Sequence, residues 1–176
     1  KYLDVVITER CSMKCIDCSN LMQYYQNPKH NDLELLFRSL DKMMDCIDHI
    51  YEFRVLGGEP FVNKDIHKIV DKLAAYDKVD SVVIYTNATI LPKNENLDCL
   101  KNKKVKVDIT NYQSLSKNYD NLVNACIANN ISFVSRLANH WTDSCRIEYR
   151  CEKTEAQLTH MFQNCCVGDI INLLNG

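Results

Sequence analysis

The chain has 176 residues, 46% of them apolar and 25% charged, with a net charge of −2. That is enough for one domain with a real hydrophobic core, and it gives no electrostatic case for a nucleic acid or an anionic membrane surface as partner. No apolar run approaches the roughly 20 residues that span a bilayer, and a chain that opens directly on a strand pattern is expected to lack a signal peptide.

The opening run YLDVVIT reads as a strand, and three cysteines follow it: Cys11, Cys15 and Cys18. LELLFRSLDKMMDCI then sets Leu33, Leu36, Phe37, Leu40, Met44 and Ile47 at helical spacing. Asn31, with Glu34 three residues on, is the expected cap of that helix. IYEFRVLG is a second strand, closed by Gly57 and Gly58. Asn63 is the expected cap of a second helix carrying Ile66, Ile69, Val70 and Leu73. SVVIYT, VKVDIT and ISFVSRL read as strands three to five. A short helix or loop around Leu97 and Leu100 separates the first two, and a helix bearing Leu122, Val123, Cys126 and Ile127 separates the last two. Past Leu137 the rhythm weakens, with THMFQNCC as a candidate helix and DIINLL as a candidate strand. The last two residues, Asn175–Gly176, are a hairpin-turn pair, which gives the expectation of a fragment of something longer.

Strands alternating with helices predict βαβ units around a parallel sheet. Ligands of such folds sit beyond the carboxyl ends of the strands. The cysteines follow strand one there, and Gly57–Gly58–Glu59–Pro60 follows strand two. Thr86–Asn87 ends strand three, Thr110–Asn111 ends strand four, and Arg136 stands near the end of strand five. Each of these features falls on one rim.

Ten cysteines in such a chain read as metal-binding thiols in a reducing cytosol rather than a disulfide framework. A structural zinc site is closed by four ligands, and iron–sulfur clusters are normally held by four thiolates. The C-x3-C-x2-C loop offers three, which leaves a metal position open for chemistry. Cys46, Cys99 and Cys126 fall on or beside apolar helical faces and are expected to pack as small hydrophobes. His30, His49, His67, His140 and His160 form no ligand spacing.

C-x3-C-x2-C after a first strand, with GGEP after the second, resembles the radical S-adenosylmethionine (radical SAM) superfamily. The resemblance covers about Tyr2 to Leu137. It implies a partial (β/α)6, TIM-like barrel, here incomplete at its carboxyl end, and a 4Fe–4S cluster on Cys11, Cys15 and Cys18. The amino and carboxylate groups of S-adenosylmethionine (SAM) would take the fourth iron. One electron would cleave the sulfonium to a 5′-deoxyadenosyl radical, which abstracts hydrogen from a substrate. By the same resemblance, Gly57, Gly58, Glu59 and Pro60 face the methionine amino group. Thr86 and Asn87 lie near the methionine or ribose, Thr110 matches a strand-four hydroxyl residue, and Arg136 pairs with the methionine carboxylate. An electron donor such as flavodoxin or ferredoxin is implied as partner. One position departs from the pattern: many members carry an aromatic residue just before the third cysteine, near the adenine, and this chain has Asp17.

CCVGDIINLLNG resembles the start of a SPASM or twitch extension, implying Cys165 and Cys166 as ligands of an auxiliary iron–sulfur cluster. The expected division is therefore residues 1–140 as the barrel core and 141–176 as the start of that extension. The substrate is left open as a peptide, protein or carbohydrate-linked molecule. The cysteine loop and tail also resemble members tied to bacterial cell-surface polysaccharides. Two other classes use some of the same residues: a non-catalytic iron–sulfur carrier or sensor, and a structural zinc-binding module.

Overall fold

A computed structural model describes residues 2–16, 18–139, 153–165 and 171–174. Its centre is a six-stranded, wholly parallel sheet of order β5-β4-β3-β2-β1-β6. The strands are β1 (Tyr2–Val6), β2 (Ile50–Leu56), β3 (Val79–Thr86), β4 (Val105–Asn111), β5 (Ser132–Leu137) and β6 (Ile171–Leu174). Helices α1 (Leu33–Asp45), α2 (Ile66–Ala74), α3 (Glu95–Asp98) and α4 (Tyr119–Ala128) connect the first five, and α5 (Glu155–Gln163) precedes the sixth. The strand–helix alternation predicted from sequence is present, in the α/β arrangement of a partial barrel. Strands one to five step across the sheet in order, whereas β6 pairs with β1 at the opposite edge from β5.

Strand parity divides the sheet, because successive side chains point to opposite faces. Leu3, Val5, Phe53, Val55, Val82, Ile84, Val107 and Ile109 pack in one core with Leu36, Leu40 and Met44 of α1 and Ile66, Ile69, Val70 and Leu73 of α2. Leu122 and Cys126 of α4 join them. The 3.6-residue spacing read in α1 and α2 thus buries the stripe it predicts. Cys99 and Cys126 are buried as expected, but Cys46 is exposed at the carboxyl end of α1. Position 46 stands off the stripe of Leu36, Leu40 and Met44, whereas Ile47 just past the helix still packs against the core. Among the described residues no helix is long and apolar enough to cross a membrane.

The two predicted helix caps are displaced, and the displacement matters. Asp32 caps α1, its side chain accepting from the Leu35 N–H at 2.8 Å, and Asp65 stands at the start of α2. Asn31 instead donates through Nδ2 to the Val6 carbonyl (2.6 Å), and Asn63 donates to the Ile7 carbonyl (3.1 Å). Both asparagines therefore secure the end of β1, where the cysteine loop begins.

Candidate functional site

The cysteine loop leaves β1 and lies against the end of β2. Gly58 N–H donates to the Thr8 carbonyl (3.1 Å) and Glu59 N–H to the Arg10 carbonyl (3.0 Å), so two extra backbone bonds continue the β1–β2 pairing past both strands. The glycines permit this approach. A Cβ on Gly57 would collide with the Thr8 carbonyl oxygen, and one on Gly58 with the Arg10 carbonyl and the Cys11 side chain. Asn20, just past the third cysteine, donates to the Gly57 carbonyl at 3.1 Å. The loop is thus fastened to GGEP at both of its ends.

Glu59 is fully buried and faces into the protein. Its carboxylate accepts from the Thr86 hydroxyl (2.8 Å), the Asn87 N–H (2.8 Å) and the Phe61 N–H (3.1 Å). These bonds tie the end of β2 to the end of β3 and start the 3-10 turn Pro60–Val62. Burial pushes the Glu59 pKa up to about 7, with the three hydrogen bonds acting in the opposite direction. Asn87 then reaches the cysteine loop, its Nδ2 lying 3.3 Å from Ser12 Oγ and 3.9 Å from Cys11 Sγ. Ser12 also meets the Thr89 hydroxyl.

These residues wall one cleft of about 380 Å³, lined by Cys11, Cys15, Cys18, Gly57, Gly58, Thr86, Asn87 and Thr110 among others. All three thiols are half-exposed. Partial burial raises the pKa of Cys11 and of Cys15, and the neighbouring thiols raise it further. A metal would reverse that preference, since bound thiols are deprotonated. Three thiolate donors facing a shared cleft are a set that fits an iron–sulfur cluster with one metal position left open.

Arg136, at the end of β5, is exposed and paired to Asp108 at 2.7 Å. It does not line the cleft wall that carries the cysteines. Cys165 lies exposed just past α5, and Cys166 falls outside the described residues, as do His140 and Asp17.

Among the cleft residues that the sequence reading did not single out are Asp4, Arg54, Tyr85 and Tyr112. Arg54 pairs with Asp4 at 3.3 Å and lies over the Tyr85 ring, 4.8 Å from its centroid. The Arg136 guanidinium approaches the same ring at 5.8 Å. Asp4 and Arg54 are register partners on β1 and β2, as Tyr85 and Asp108 are on β3 and β4. Together they make a charged floor on the face away from the helices. Burial raises the pKa of both Asp4 and Asp108 despite the arginines beside them. The signal was present in the sequence for three of these strands: β1, β2 and β4 carry a charge inside an apolar run, in LDVV, FRVL and VDIT.

The family model described as the radical SAM superfamily matches residues 5–132, most of the chain. The chain belongs to the radical SAM superfamily. Its family cofactors are SAM and a 4Fe–4S cluster. A relative in Clostridium acetobutylicum named GTP 3′,8-cyclase is 28% identical over 144 residues, covering 74% of this chain and 44% of the relative. The enzyme of the same name from Campylobacter lari is 32% identical over 92 residues, 51% of this chain and 28% of its own length. The chain thus spans less than half the length of these relatives. Among solved structures, BtrN in complex with AdoMet and 2-DOIA matches with a TM-score of 0.58 at 20% identity, over 78% of this chain and 56% of BtrN. Streptococcus suis SuiB bound to SAM matches at 0.52 and 16% identity, over 99% of this chain and 50% of SuiB. These two likenesses concern the fold.

Proposed function

We propose that this chain forms the catalytic core of a radical SAM enzyme acting on a polar substrate. The observation that carries the reading is the convergence of Cys11, Cys15, Cys18, Gly57, Gly58, Thr86, Asn87 and Thr110 on one cleft. Cys11, Cys15 and Cys18 would hold the cluster. When bound there, the cluster would supply the one electron needed for reductive cleavage of the SAM sulfonium to methionine and a 5′-deoxyadenosyl radical, the species that would abstract hydrogen from the substrate. The Gly57–Gly58 backbone offers the amino group of SAM a surface without side chains. Glu59 acts through others: it fixes Thr86 and Asn87, and so the depth of the cleft. Asn87 steadies the loop through Ser12 and Cys11. Thr110, with Asn20 behind Gly57, completes the polar wall.

The floor of Asp4, Arg54, Tyr85 and Asp108 supports a polar substrate, because unneeded charges on a sheet face are costly to bury. A nucleotide of the kind named in the relatives and a carbohydrate-linked molecule both satisfy that chemistry. Arg136, held by Asp108, is a candidate for the methionine carboxylate only if it leaves that partner. An external one-electron donor of the flavodoxin or ferredoxin type would reduce the cluster. Cys165 and Cys166, within residues 141–176, would belong to the start of an auxiliary-cluster extension, although Ile171–Leu174 of that segment join the core sheet as β6.

The test is anaerobic reconstitution with iron and sulfide, followed by dithionite and SAM. Four irons per chain and 5′-deoxyadenosine are expected. One equivalent of zinc with no SAM cleavage would favour a structural zinc module, and a cluster that never binds SAM would favour an electron carrier.

A further inference from the structure

The cleft continues beyond the cysteines. Past Met13, Cys15 and Tyr112 it opens into a second groove of about 770 Å³, walled by Met13, Ile16, Ile90, Tyr112 and Leu115 with Lys14 and Lys117 beside them. Met13, Cys15 and Tyr112 line both spaces, which makes one trough from the end of β2, past the thiols, to the segment after β4. Its two ends differ in chemistry. At Gly57–Gly58 the trough offers backbone polar groups and the Asn20 and Asn87 amides. At the other end it offers a ring, a thioether and aliphatic side chains.

SAM has the same asymmetry: a zwitterionic amino acid at one end and a flat, weakly polar purine at the other. With the methionine end at Gly57–Gly58, the adenosyl end has two ways to run. One leads down to Asp4 and Arg54, where a neutral purine face would cover charges. The other leads to the apolar groove, where burial of the purine is favourable.

Tyr112 is held ready at the junction. Its backbone N–H donates to Ser116 Oγ at 2.8 Å, and Ser116 Oγ donates to the Asn87 carbonyl at 2.7 Å. Ser116 is buried, so the segment after β4 is pinned to the end of β3. We propose that Tyr112 supplies the aromatic face on which the adenine of SAM rests, in the groove beside Met13 and Ile90. This assigns the contact to the segment just after β4, and it rests on the reading of the cleft as a SAM site.

The experiment compares Tyr112→Ala and Tyr112→Phe with the unaltered protein, each reconstituted with cluster, by equilibrium dialysis of SAM, 5′-deoxyadenosine and methionine. Tyr112→Ala is expected to weaken SAM and 5′-deoxyadenosine binding about ten- to a hundredfold, the range for loss of one base-stacking ring. Methionine binding, iron content and the cluster absorbance should be unchanged. Tyr112→Phe should stay within about threefold, because the face is kept. Unchanged SAM affinity in Tyr112→Ala, equal losses for methionine, or equal losses in the two variants would each overturn the proposal. If the unaltered holoprotein binds no SAM, the reading of the cleft fails first and takes this assignment with it.

Discussion

The two faces of the central sheet are built from the same strands yet follow opposite rules. Toward the helices stand Leu3, Val5, Phe53, Val55, Val107 and Ile109, all buried in one apolar core. Toward the cleft stand Asp4, Arg54, Tyr85 and Asp108, charged or polar, with raised carboxyl pKa values and paired arginines. A two-residue period lets one strand anchor the fold with alternate residues and present chemistry with the rest. Changes on the helix face should therefore cost stability, and changes on the cleft face should cost function.

The largest expected effect is all-or-none. Cys15→Ala should abolish cluster assembly, read as iron content and visible absorbance, while Cys46→Ala, exposed at the end of α1, should leave both intact. Equal loss from the two would remove the loop cysteines as the specific cluster ligands. Next, Phe53→Ala should lower stability by about 3–5 kcal/mol in denaturant unfolding, as for other buried aromatic truncations, with iron per folded molecule unchanged.

Glu59 lies between the faces and carries a pH signature. Its pKa is raised from 4.5 to about 7 in the fold, so between those values the folded chain binds more protons than the unfolded one. Stability should then fall as pH rises from about 4.5 to 7 and level off above, a change of about 3 kcal/mol from this group. Glu59→Gln should flatten that slope in thermal melts taken across the range; an unchanged slope would remove Glu59 as its source. The smallest stability effect is expected on the cleft face. Arg54→Gln should cost about 1 kcal/mol, the worth of one hydrogen-bonded contact, while lowering substrate-dependent 5′-deoxyadenosine formation more than the substrate-free background.

Much of the candidate cleft was legible because its motifs are local. The cysteine spacing and GGEP are contiguous, and strand ends are where α/β folds gather their ligands. The helix-face core was equally legible from periodicity. What escaped was the work of single polar side chains across long separations. Asn31 and Asn63 fit helix caps by position, but their amides serve the Val6 and Ile7 carbonyls instead. Glu59 sits within a recognisable motif, yet its partners Thr86 and Asn87 are on another strand. The place of β6 beside β1 was equally hidden, since alternation fixes the direction of strands but not which edge a late one joins.

The paired backbone of Thr8–Arg10 with Gly58–Glu59 has a consequence for assembly. Hydrogen bonds along this seam do not depend on iron, so Gly58–Glu59, proposed above to face the cofactor amino acid, and the mouth of the cysteine loop set as one unit when the chain folds. Iron loading would then fill a mould already cast, and the entropy of arranging cluster and cosubstrate beside each other would fall on folding rather than on each turnover.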